Sequence, residues 1–136
     1  MTPRPDIQKV TVTFEVLWNL EQFPEAIRVS ADGGRPLALV AEVAYYFESR
    51  GMFTEALAEW QYLVDAYFEM GERLLPLLYY PQEVFLLGAW YFSTDKVRSA
   101  RYLSSYVWAA NKWGKFPLFN LPHKAEAQSL LEKVEQ

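Results

Sequence analysis

At 136 residues, with 51% hydrophobic and 17% aromatic side chains, the chain has apolar area enough for one continuous core, which excludes a disordered reading. Its 13 Lys/Arg and 17 Asp/Glu leave a net charge of −4, unevenly spread: residues 1–81 hold 6 and 12, residues 82–136 hold 7 and 5. Cysteine is absent, which removes disulfides, thiolate nucleophiles and Cys-based zinc or iron–sulfur sites.

The start, MTPRPD, places two prolines and an aspartate where a secretory leader needs a basic start and an apolar run. The longest apolar stretches, 84–92 and the proline-broken 74–81, fall short of the roughly 18 residues of a membrane span. The expectation is a soluble, cytoplasmic protein with no membrane partner.

Residues 10–16, VTVTFEV, alternate Val10, Val12, Phe14 and Val16 with polar partners, the period of a strand. FPEA at 23–26 echoes FTEA at 53–56 and argues for a degenerate helix pair at about 8–31. Helix is favoured, because a lone strand would leave its backbone N–H and C=O groups without partners.

Residues 36–50 follow Gly33-Gly34, and Pro36 suits a first helical position. Val40, Val43, Ala44 and Phe47 fall at i, i+3, i+4 and i+7, one apolar stripe of a helix that Gly51 ends. Thr54 is the expected N-cap of the next helix, with Ala56, Trp60, Leu63 and Tyr67 on its stripe. A three-residue turn makes the two an antiparallel hairpin over 37–70, in which Ala44 and Ala56 are small enough to meet at the crossing. Shifted uniformly by 44 residues, Val84, Leu87, Gly88 and Tyr91 reproduce the first stripe, and Gly88 and Ala100 the small pair. Residues 71–82 form a connector broken by Pro76 and Pro81. At 122–136, Ala127, Leu130, Leu131 and Val134 share one stripe of an amphipathic cap.

The order small residue, aromatic, turn, aromatic, Glu-Ala, aromatic is carried by Ala44, Phe47, Gly51, Phe53, Ala56 and Trp60. Together with Leu87, Gly88, Tyr91 and Ala100 in the second copy, it resembles the tetratricopeptide repeat (TPR) over about half the chain. The 44-residue shift exceeds the family's period of about 34. The resemblance implies a single all-α domain: a right-handed superhelix of antiparallel helix pairs, with repeats at 37–70 and 81–114 and a C-terminal capping helix. It also implies a concave groove lined by Ala38, Ala41, Tyr45 and Ser49, then by Gln82, Phe85, Ala89 and Ser93. None of these is Lys, Arg or Asn, so an apolar or aromatic groove is expected rather than a clamp for a carboxylate. The implied role is protein binding, as an adaptor, assembly chaperone or regulatory subunit for a peptide or helix. Because so few repeats bury their faces poorly, docking onto a second copy, a homo-oligomer, belongs to the same expectation.

Chemistry-bearing residues are sparse. His123, the only histidine, has no nucleophile or carboxylate constellation around it and reads as a cap residue. Glu55 and Glu59 share a helix face without a histidine at helical spacing, and Gly33-Gly34 lacks the rest of a phosphate loop. No reaction, metal or cofactor is expected. Lys96, Arg98, Arg101, Lys112 and Lys115 form a candidate basic patch within residues 79–119, which hold 12 of the 23 aromatics. RNA or single-stranded DNA binding through that half is one alternative. An enclosed aromatic pocket for a small ligand, or an enzyme, is another.

Overall fold

The computed structural model describes residues 6–136, so all of the MTPRPD start except Asp6 lies outside the described residues. Among them the protein is all-α, with eight helices and no strand. It divides into two compact units, residues up to Glu59 and Trp60–Gln136.

The first unit opens with α1 (Ile7–Asn19), capped by the Asp6 carboxylate, which accepts the Lys9 N–H at 3.2 Å. The strand-like alternation of residues 10–16 is resolved as helix. Thr11 and Thr13 satisfy their hydroxyls by donating to the carbonyls of Ile7 and Lys9, one turn back. Alternation on a helix splits its apolar residues between faces: Val10 and Phe14 turn into the core, whereas Val12 and Val16 stay exposed. α2 (Phe23–Asp32) and α3 (Leu37–Ser49) complete a core of Phe14, Ala26, Leu39 and Val43, flanked by Leu17, Trp18, Ile27 and Phe47. The Arg35 guanidinium pairs with the Glu59 carboxylate at 2.6 Å, so one of the two glutamates weighed as a metal ligand is engaged.

α4 (Phe53–Glu69) crosses from one unit to the other. It begins one residue before Thr54, which therefore sits inside the first turn rather than at the cap. The turn ahead of it is closed by two bonds, Gly51 N–H to Glu48 C=O and Met52 N–H to Phe47 C=O, with Gly51 at φ 73°. A side chain at that φ would be strained, so this reversal calls for glycine. The end of α4 repeats the device at Gly71, φ 80°.

The second unit adds α5 (Leu74–Tyr79), α6 (Pro81–Tyr91), α7 (Lys96–Trp113) and α8 (Lys124–Val134). The connector at 71–82 thus contains a short helix, with Pro76 and Leu77 buried, and Pro81 starts the next. Asp95 caps α7 by accepting the Arg98 N–H at 3.1 Å. α6 lies against α7 and α7 against α8. At the α6–α7 crossing, the side chain that closes on Gly88 is Leu103, and Ser99 Oγ donates to the Gly88 carbonyl at 2.7 Å. Ala100, the expected partner of Gly88, is not among the nearest atoms: the crossing is centred on Ser99 and Leu103 on either side of it. Tyr102 is buried and donates to Asp65 at 2.8 Å, and burial with that bond holds its phenol proton well above the ordinary tyrosine value. No helix among the described residues is long and apolar enough to cross a membrane.

Candidate functional site

α3 has two working faces. Val40, Val43 and Ala44 are buried with Phe47 beside them; displaced by two positions, Glu42, Tyr45, Tyr46 and Ser49 repeat the same i, i+3, i+4, i+7 spacing. Two helical positions turn the chain by about 200°, so this second set points away from the first. It lines an open concavity of about 420 Å³ with Trp18 of α1, Phe23 of α2 and Arg50.

The wall is aromatic and internally braced. Trp18 stacks on Phe14 with ring centres 4.9 Å apart and receives Phe23 edge-on, also at 4.9 Å. Tyr46 stacks on Phe23 at 4.6 Å and meets Trp18 at 5.5 Å. The Arg50 guanidinium lies 5.1 Å from the Tyr46 ring centre and 5.8 Å from that of Phe23, a cation–π contact that holds it at the rim. Ser49 donates its hydroxyl to the Tyr46 carbonyl at 2.7 Å. Tyr45, half exposed, completes the lining.

Glu42 supplies the negative side. Partial burial, and then the nearby Glu15 carboxylate, raise its pKa above the ordinary value. A raised carboxylate pKa means that the folded state holds the proton more tightly than the unfolded chain. The penalty is therefore absent below the ordinary carboxylate range, grows as pH rises through the window up to the folded value, and is complete at neutral pH. Glu42→Gln is expected to melt above the wild type at pH 7, with the difference closing at acidic pH. Equal melting temperatures at both pH values would remove the charge strain assigned to this position.

Of the expected groove residues, Tyr45 and Ser49 line this concavity, while Ala41 is buried beside it. Gln82, Phe85 and Ala89 lie on α6 in the second unit. There Phe85 stacks on the His123 imidazole, ring centres 4.6 Å apart at 13°, and packs on Tyr106. His123 precedes α8, with Nδ1 2.6 Å from Glu126.

The basic residues separate. Arg98 pairs with Asp95 at 3.4 Å and stacks on Tyr91; Arg101 pairs loosely with Asp65 at 3.7 Å and stacks on Phe68. Lys112 lies some three turns further along α7, over Trp108 and Trp113, and Lys96 and Lys115 are exposed near its two ends. Trp18, Phe23, Glu42, Tyr46 and Arg50 escaped the sequence reading, although the offset repeat 42, 45, 46, 49 was a usable signal. Arg73 escaped it too. Among the described residues no cluster of His, Cys, Asp and Glu is placed to hold a metal. No protein-family model, curated protein or solved structure matches the chain.

Proposed function

We propose that the protein is an interaction module of tetratricopeptide-like helix hairpins whose first unit takes an amphipathic peptide or helix into the concavity beside Tyr45. The observation that supports this is the second face of α3: an open, braced aromatic surface on a helix whose opposite face already serves the core. Rigid rings give large contact area at little ordering cost, and such anchors dominate interface energies. The superhelical stacking of helix pairs belongs to the same reading, and the three-residue turns after α1 and α3 are in keeping with it. Residues 1–59 contain 5 Lys/Arg and 9 Asp/Glu, and Glu42, with the Glu15 charge acting on it, lines the concavity beside the rings, so the complementary segment flanks its apolar anchors with Lys or Arg.

Nucleic-acid binding through the C-terminal half is the weaker reading, because Arg98 and Arg101 are each paired with a carboxylate and laid on a ring rather than aligned along a track. The proposal assigns no reaction and no cofactor.

Tyr45→Ala tests it. Since Tyr45 is 49% exposed, the variant is expected to melt within about 0.5 kcal/mol of the wild type. Its affinity for Lys-flanked amphipathic helical peptides, read by fluorescence anisotropy, is expected to fall by about tenfold or more. Unchanged affinity would refute the site, and loss of the cooperative melt would place Tyr45 in the core instead.

A further inference from the structure

A second concavity, of about 350 Å³, lies within the second unit and is lined by Phe68, Gly71, Arg73, Arg101, Ser104 and Ser105. Its two cations are held in unlike ways. Arg101 has Asp65 at 3.7 Å, beyond the usual length of a charge-assisted hydrogen bond, and rests its guanidinium 5.1 Å from the Phe68 ring centre. Arg73 has no carboxylate partner among the described residues. Its Nε donates to the Ser105 hydroxyl at 3.2 Å, and its guanidinium lies 4.4 Å from the Trp108 ring centre. Lys112 approaches the same indole at 5.8 Å and adds a third positive charge. Three cations thus gather around Trp108 and Phe68, and of them Arg101 pairs with Asp65, in a unit whose 8 Lys/Arg and 8 Asp/Glu balance as a whole.

Ring stacking and the Ser105 bond position the Arg73 side chain without neutralising it. The terminal nitrogens carry four of the five N–H donors of a guanidinium, in a planar fork matched to the oxygens of an oxyanion. Their entropic cost of ordering is largely met before any ligand arrives, as is usual for a preorganised anion site. Two arginines lining one concavity suit an anion bearing two negative charges and three terminal oxygens better than a singly charged carboxylate.

We infer that this concavity is a binding site for a phosphate monoester, with Arg73 as its principal ligand and Arg101 as the second fork. The monoester can be a free small molecule or a phosphorylated side chain, since both present the same dianion. Arg101 leaves its long contact with Asp65 to engage it.

Titration of the full chain with phenyl phosphate, against phenyl sulfate at equal ionic strength, tests the inference by 15N NMR of the arginine Nε–H groups. A phosphoserine peptide forms the parallel arm that separates the two sources. The expected result is a saturable shift of the Arg73 Nε–H signal with phenyl phosphate and a markedly weaker response to the monoanionic sulfate. Arg73→Gln is expected to weaken binding by about tenfold, Arg73→Lys to restore it only in part, and Lys133→Gln to leave it unchanged. Circular dichroism confirms that each variant is folded, and phenyl phosphate should raise the melting temperature of the wild type but not of Arg73→Gln. Equal responses to phosphate and sulfate, or equal losses in Arg73→Gln and Lys133→Gln, would overturn the site. So would an oligothymidylate that binds more tightly than the monoester and is indifferent to Arg73→Gln.

Discussion

Tyr106→Ala is expected to cost about 3–5 kcal/mol of stability, the range for removing a buried aromatic side chain. The ring is fully buried, packs on Phe85 with centres 5.7 Å apart, and its hydroxyl accepts the His123 N–H at 2.9 Å. That last bond joins the middle of α7 to the residue that opens α8. Truncation therefore removes core volume and releases the final helix together. Against a typical total of about 5–15 kcal/mol, the loss leaves the second unit near its unfolding threshold at physiological temperature. Denaturant unfolding measures the cost, and hydrogen exchange should show α8 amides losing protection first. Tyr106→Phe separates the contributions: it keeps the packing and orphans one N–H, for about 1 kcal/mol. Burial, partly opposed by the His123 N–H and reinforced by Glu126, raises the Tyr106 pKa. The folded state thus holds the phenol proton more tightly, and this stability is lost as pH rises beyond the ordinary tyrosine value; Tyr106→Phe should lose less there. An alanine variant as stable as wild type would show that α8 is held by other contacts.

Gly88→Leu is expected to lower stability by about 1–3 kcal/mol through overpacking. A Cβ at this position would lie 2.6 Å from Leu103 Cδ2 and 2.7 Å from Leu103 Cγ, and Leu103 is fully buried with nowhere to retreat. The Ser99 bond to the Gly88 carbonyl pins the backbone at the same crossing. Replacing a helical glycine by alanine would normally gain about 1 kcal/mol from propensity. Gly88→Ala already sets its Cβ against Leu103 and should lose much of that gain, and leucine, with a similar propensity gain but far more volume at the same contact, should lose more. For a unit of this size each kcal/mol shifts the melting temperature by about 4–8 °C, so the two variants are readily told apart. If Gly88→Leu melted with the wild type, the helices would be separable without cost and the close crossing would be refuted.

The helices and their buried stripes were legible because a helix facing a core must repeat its apolar residues every three to four positions. Val40, Val43 and Ala44, and Val84, Leu87 and Gly88, all proved buried. The small residue at the α6–α7 crossing was legible for the same reason, but its neighbours were not: spacing along the chain identified Ala100, whereas the helix rotation brings Ser99 and Leu103 to Gly88. The N-terminal segment was ambiguous because its alternation also fits a helix with two apolar faces, and only packing decides which valines are covered. At the candidate sites the divide is sharper. Tyr45 and Ser49 could be placed on the outward side of α3 from sequence, while the rings beside them come from α1 and α2, at separations no periodicity encodes. Arg73 sits in a connector with no repeat to mark it, and its relation to Ser105 and Trp108 spans more than thirty residues.

By itself, then, the order of residues determined the helices after residue 36 that carry the repeat, the stripes Val40, Val43, Ala44 and Val84, Leu87, Gly88, and the glycine reversal at Gly51, because all of these depend on neighbours within one or two turns. Only the tertiary structure decided that the chain forms two compact units, that Trp18, Phe23 and Tyr46 share one wall, and that Arg73, with no carboxylate partner among the described residues, lines one concavity with Arg101. Those depend on helix rotation and packing, which bring distant residues together according to shape and burial rather than sequence separation.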